Sequence, residues 1–123
     1  LNKQNAIDMK MMQTGLQEIE TADELQKIIS ENENVMVCCG RMGPMCVPVY
    51  ESMEELEEDR DDVKFFTMAF DNPEAGVIRN AQETQGFMGL PFTMYYKNGK
   101  VAHATSSIQS MDQITEVLDK HFK

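Results

Sequence analysis

GFMGLPFTMYYKNGKVA, residues 86 to 102, carries the clearest structural signal in the chain. PFTMYY is a short apolar and aromatic run, the composition of a buried strand. Asn98-Gly99 then stands between two such runs, and this pair is a strong hairpin signal because both residue types accept positive φ. VAHATS, 101 to 106, is the strand that answers it. Gly86, at the head of the stretch, is a stop for whatever helix comes before it.

Outward from the hairpin, the pattern alternates. After it, SMDQITEVLDKHF reads as a helix capped by Ser110, with Met111, Ile114, Val117, Leu118 and Phe122 as its apolar stripe. Before it, residues 75 to 85 are moderately helical, behind a turn at Asp71-Asn72-Pro73-Glu74. VKFFTMAF, 63 to 70, and VMVCC, 35 to 39, are wholly apolar runs of strand length, expected to be buried on both faces. Val49, Met53 and Leu56 are spaced four and three apart, the inner face of a helix that Pro48 opens or kinks. In LQEIETADELQKIIS, Leu16 and Ile19 could begin a short strand. Thr21 and Glu24 then form a capping-box pair, so a helix is expected from Ala22. The order is β-α-β-α-β-α-β-β-α, one α/β domain with a mixed sheet. It spans 16–123, behind an N-terminal extension at 1–15 that reads as a short helix or a loose arm.

Composition narrows the chemistry. The chain has 123 residues and a formal net charge of −10. That charge repels phosphates, so neither nucleic acid nor an anionic membrane is an expected partner. No run approaches the ~18 apolar residues of a membrane span. Three cysteines are too few for a disulfide scaffold. Cys38 and Cys39 are neighbours on one strand and should face opposite ways. His103 and His121 flank no metal-like spacing, so neither a metal nor any other cofactor is expected. The eleven methionines are adaptable core filler. EELEEDRDD, 54 to 62, reads as a solvated helix end, with a docking patch for a basic partner as the sharper alternative.

With these residues in place, the chain resembles the thioredoxin family. Leu-Pro before a strand and a Lys-Asn-Gly hairpin, ungapped from Gly86 through the last helix, is similar to the second half of a thioredoxin. FDNPE, 70 to 74, resembles the Asp-x-Asn-Pro turn of the family, although the segment after it is several residues longer. The resemblance implies a three-layer thioredoxin-like fold, a central mixed sheet flanked by helices. It also implies that Pro91 is the cis-proline facing the active-site turn.

That turn is RMGPMC, 41 to 46, where the family carries Trp-Cys-Gly-Pro-Cys. If Gly43-Pro44 set the register, both cysteine positions hold methionine, Met42 and Met45. If the helix stripe sets it, Cys46 takes the second cysteine position, and the first falls on Gly43 unless the turn has gained one residue. In both registers the attacking thiol is missing. A thioether cannot form the thiolate that disulfide exchange requires. By the same resemblance the buried acid is Met36 or Val37 and its lysine neighbour is Thr67. A loop glycine is Ser107, and the threonine after the proline is Phe92.

Two functions follow as expectations. In the first, the protein has lost dithiol–disulfide exchange and binds a protein or peptide partner at the former active-site groove. Met42, Gly43, Pro44, Met45, Leu90, Pro91 and Phe92 would line that groove. In the second, Cys46 retains thiol chemistry, alone or with Cys39, in cell redox homeostasis. Unpaired cysteines suit a reducing cytoplasm. The chain begins at Leu1 rather than Met, which leaves an export segment upstream open.

Overall fold

In the computed structural model, which describes residues 10–123, β4 (Phe92–Lys97) and β5 (Lys100–Ser106) form the hairpin. Asn98 and Gly99 take φ of 54° and 83°, the left-handed pair that a two-residue hairpin turn needs. β1 (Gln17–Ile19), β2 (Asn34–Gly40) and β3 (Lys64–Ala69) complete a five-stranded sheet of order β1-β3-β2-β4-β5. β1, β3 and β2 run parallel, and β4 joins β2 antiparallel. The sheet is therefore mixed, as the alternation of apolar runs implies.

The helices start where their caps stand. α1 (Ala22–Glu31) opens on Thr21, whose hydroxyl accepts the Glu24 amide at 3.0 Å. The Glu24 carboxylate reaches back to the Glu20 amide rather than to Thr21. α2 (Val47–Asp59) carries Pro48 in its first turn, where no intrahelical N–H is required, so the proline opens the helix and does not kink it. α4 (Met111–Phe122) has the full reciprocal capping box between Ser110 and Gln113.

The expected helix over 75 to 85 is corrected. It is three short pieces: a 3-10 turn at Pro73–Ala75, α3 (Gly76–Arg79), and a second 3-10 turn at Gln82–Thr84. Side chains compete with helix propagation here. Arg79 turns back to donate to the carbonyls of Phe70 and Asn72, at 2.7 and 2.9 Å. The Thr84 hydroxyl donates to the Ile78 carbonyl at 2.7 Å, and Ala81 between them is extended. Gly86, at φ 91°, ends this segment as a turn residue.

Strand alternation sorts the core into two layers. Met36, Cys38, Phe65, Ala69 and Tyr95 face α2 and α4, against Val49, Tyr50, Met53, Ile114 and Leu118. Val35, Val37, Cys39, Phe66, Met68 and Met94 face α1 and α3, against Leu25, Ile29 and Ile78. Met12, ahead of β1, is 4% exposed in the first layer, so the packed body reaches at least that far. Glu18 accepts the Met11 and Met12 amides at 2.9 and 3.0 Å and fastens this lead-in to the sheet. Residues 10 to 13 have no helix or strand, and residues 1 to 9 of the expected extension lie outside the described residues. No helix of the described residues is long and apolar enough to cross a membrane.

Candidate functional site

β2 ends at Gly40, and α2 starts at Val47. The turn between them is closed by Gly43, whose carbonyl accepts the Cys46 and Val47 amides at 3.1 and 2.9 Å. Cys46 is the N-cap residue of α2, before the helix rather than one residue into it. Its sulfur is turned inward and the residue is 3% exposed. Met42 and Met45 point the other way and are 40% and 48% exposed. The turn thus presents thioethers to solvent and keeps its one thiol inside.

The inner side of the turn is crowded over Gly40. A Cβ on Gly40 would lie 2.6 Å from the Tyr50 hydroxyl, 2.8 Å from the Cys46 sulfur and 3.1 Å from Pro91 Cβ. The Leu90–Pro91 peptide bond is cis. Pro91 therefore meets the start of α2 across this glycine. Tyr50 donates to the Arg41 carbonyl at 2.9 Å, and its hydroxyl lies beside the Cys46 thiol. Burial, then the neighbouring sulfurs of Cys38 and Cys46, push the phenol well above its ordinary range. Tyr50 was not among the expected site residues. Its spacing from Cys46 and to Met53, four and three, is the signal that places it on the inner face of α2.

Arg41 extends outward from the turn. It pairs with Asp71 through two bonds of 2.8 and 2.9 Å and lies 5.4 Å over the Phe70 ring. The guanidinium holds the Asp71 carboxyl below its usual range. This clasp ties the turn to the end of β3.

The expected groove residues divide. Met42, Pro44 and Met45 are exposed, while Gly43 and Leu90 are half-buried. Pro91 is buried, and so is Phe92, at 7%. The surface position expected for Pro91 and Phe92 is corrected. Phe92 belongs to the α1/α3 layer, edge-on to Phe70 and Phe87 with ring centroids 5.4 Å away in each case. Strand alternation from Met94 and Tyr96 would have placed it there.

The cysteines also divide. All three are free and buried. Cys39 lies in the α1/α3 layer, so it does not share a compartment with Cys46. Cys38 does. Burial pushes the Cys39 thiol up to about 12 despite the pull of Arg79. Burial pushes Cys38 in the same direction, against the Thr93 hydroxyl that donates to its sulfur at 3.7 Å.

Cys38 lies at the middle of a row that crosses the sheet beneath α2. Glu18, Thr67, Cys38, Thr93 and Thr105 are successive strand partners. Glu18, Thr67 and Thr93 are buried, and the hydroxyls of Thr67 and Thr105 have no hydrogen-bond partner among the described residues. Of the two candidates for the buried acid, Met36 faces this layer and Val37 faces the other.

His103 and His121, far apart in sequence, are stacked with ring centroids 5.0 Å apart. Among the described residues no group of three or more His, Cys, Asp or Glu is placed to hold a metal ion.

No protein-family model matches the sequence, and no curated protein sequence matches it. Solved structures do. The chain is similar to oxidised thioredoxin from Plasmodium falciparum, with a TM-score of 0.70 and 18% identity over 89% of this chain and 100% of that one. It is similar to Fasciola hepatica thioredoxin, with a TM-score of 0.72 and 20% identity over 86% and 99%. It is also similar to thioredoxin f2 of Chlamydomonas reinhardtii, at 0.71 and 19% over 87% and 96%. The fold is that of the thioredoxins.

Proposed function

We propose that this thioredoxin-fold chain acts by binding a protein or peptide partner at the end of the sheet where Met42 and Met45 project, and not by dithiol–disulfide exchange. One observation carries the reading. The single thiol of the turn is 3% exposed, while both of its methionines, Met42 and Met45, project into solvent. An exchange reaction needs a thiolate that a disulfide can reach, and a second thiol to release the mixed disulfide. Cys46 is shielded by Tyr50 and Pro91, and Cys39 lies across the sheet from it. Exposed thioethers offer flexible, polarizable contact surface that repacks against different apolar partners. The three free, buried thiols suit a reducing compartment such as the cytoplasm.

Insulin reduction, run on the chain and on Cys46→Ser, tests the loss of exchange. Both are expected to give no turnover above the dithiothreitol background. Turnover by the parent that disappears in Cys46→Ser would overturn the reading. For the binding side, affinity capture from lysate is compared between the parent and Met42→Ser/Met45→Ser. Partners retained equally by both would place binding elsewhere.

A further inference from the structure

We propose that a groove beside the turn, between the lead-in to β1 and the first two turns of α2, receives a basic side chain of a partner protein segment. This rests on the reading that the chain works by binding, and it names the chemistry of what is bound. The groove has a volume of about 510 Å³ and is lined by residues 13 to 15, Met42, Val47, Tyr50, Glu51 and Glu54. Met42 is shared with the turn, so a partner on the methionine surface continues into the groove.

The two walls are chemically distinct. Met42 and Val47 give an apolar side along which the methylene stem of a lysine or arginine can lie. Glu51 and Glu54 give the charged side. Glu54 is committed to the fold: its carboxylate accepts the Gly15 amide at 2.8 Å and holds the opposite rim in place. A Cβ on Gly15 would approach that carboxylate to 3.2 Å, so the glycine permits the contact. Glu51 has no hydrogen bond or ion pair among the described residues.

The charges on α2 have one sign. α2 carries Glu51, Glu54, Glu55, Glu57, Glu58 and Asp59, and none of them forms an ion pair among the described residues. Glu57 is held above its usual range by burial and by Glu54, with Lys64 acting against both. A cation docked between Glu51 and Glu54 relieves this repulsion. An acidic segment is repelled here and a neutral one gains no charge attraction, so charge complementarity favours a basic one. The apolar wall selects a segment with hydrophobic flanks over a free polyamine.

The test is a titration of the full ¹⁵N-labelled chain, followed by amide shifts. The probes are acetyl-Leu-Lys-Leu-Arg-Leu-amide, the same peptide with glutamate at both basic positions, and spermidine. The basic peptide is expected to give saturable shifts at Thr14, Gly15, Met42, Val47 and Glu51, and the acidic peptide none. Glu51→Gln is expected to raise the dissociation constant about 2- to 5-fold, the range of a part-exposed ion pair. Val47→Arg, which fills the groove with a guanidinium from its own wall, is expected to remove the shifts. Its fold is checked first by thermal melting, and Glu51→Lys replaces it if it is unstable. Shifts spread along residues 55 to 59 and insensitive to Glu51→Gln would overturn the proposal. So would spermidine binding as tightly as the peptide. Val77→Ser, an exposed apolar position on α3 outside both the groove and the methionine surface, is expected to leave the titration unchanged. The titration reads the groove directly, whereas lysate capture with Met42→Ser/Met45→Ser reads the methionine surface, so the two readings fail separately.

Discussion

The Cys46 sulfur stands 2.8 Å from the point where a side chain on Gly40 would begin. The end of β2 and the start of α2 are thus packed through a bare backbone, with Tyr50 and Pro91 closing the same space. A methyl group at residue 40 has nowhere to go without moving a buried tyrosine or the strand end.

Gly40→Ala is therefore expected to lower stability by about 1–3 kcal/mol, the cost of overpacking a closed core. Urea denaturation checks it. Gly40→Ala combined with Cys46→Ala removes one of the colliding groups and is expected to recover part of the loss. An unchanged midpoint for the single variant would show that the contact is loose.

Stability is expected to fall in alkali. Burial raises the folded-state Cys39 thiol from 9.0 to about 12, and Cys38, Tyr95 and Tyr96 move in the same direction for the same cause. These groups stay protonated in the folded chain while the unfolded chain ionises them. Below pH 9 their contribution is complete, and it is lost progressively as the pH rises from 9 towards 12. Urea melts at pH 7, 9 and 10.5 give the trend, with Cys39→Ala expected to flatten it. Equal midpoints at all three would refute the assignment.

Thr67→Val is expected to stabilise. The Thr67 side chain is fully buried, and its hydroxyl has no partner among the described residues. Valine keeps the shape and removes the unsatisfied group, for a gain of about 1 kcal/mol. A loss on thermal melting would mean that the hydroxyl is bonded after all.

Ser107→Gly is also expected to stabilise, by about 0.5–1 kcal/mol. Ser107 holds φ at 71°, a region where a non-glycine residue costs of order 1 kcal/mol or more. Its amide bonds to the Gly89 and Pro91 carbonyls come from the backbone and survive the change. The greater freedom of unfolded glycine offsets part of the gain. Chemical denaturation with a matched Ser107→Ala control separates the backbone effect from the lost hydroxyl.

The hairpin, the caps at Thr21 and Ser110 and the inward stripes of α2 and α4 were legible because each depends on residues within one turn or one strand. The opposite faces of Cys38 and Cys39 were legible for the same reason. The segment from 75 to 85 was not, because Arg79 and Thr84 satisfy carbonyls that helix periodicity alone assigns to the backbone. The burial of Cys46 depends on Pro91 and Tyr50 arriving over Gly40, which local spacing does not report. Phe92 was placed by its neighbour in sequence, Pro91, when its neighbours in space, Phe70 and Phe87, decide its environment. The row from Glu18 to Thr105 and the groove beside Met42 exist only once strand register and the lead-in to β1 are known.

The two bonds that the Met11 and Met12 amides donate to the Glu18 carboxylate bear on how the chain is cut for expression. A version starting at Leu16, the first residue of the regular pattern, discards the donors of a carboxylate that is only 6% exposed and uncovers the core face filled by Met12. It would also remove one rim of the groove. The practical boundary lies at or ahead of Lys10, and a shorter fragment would report on a damaged edge rather than on the native fold.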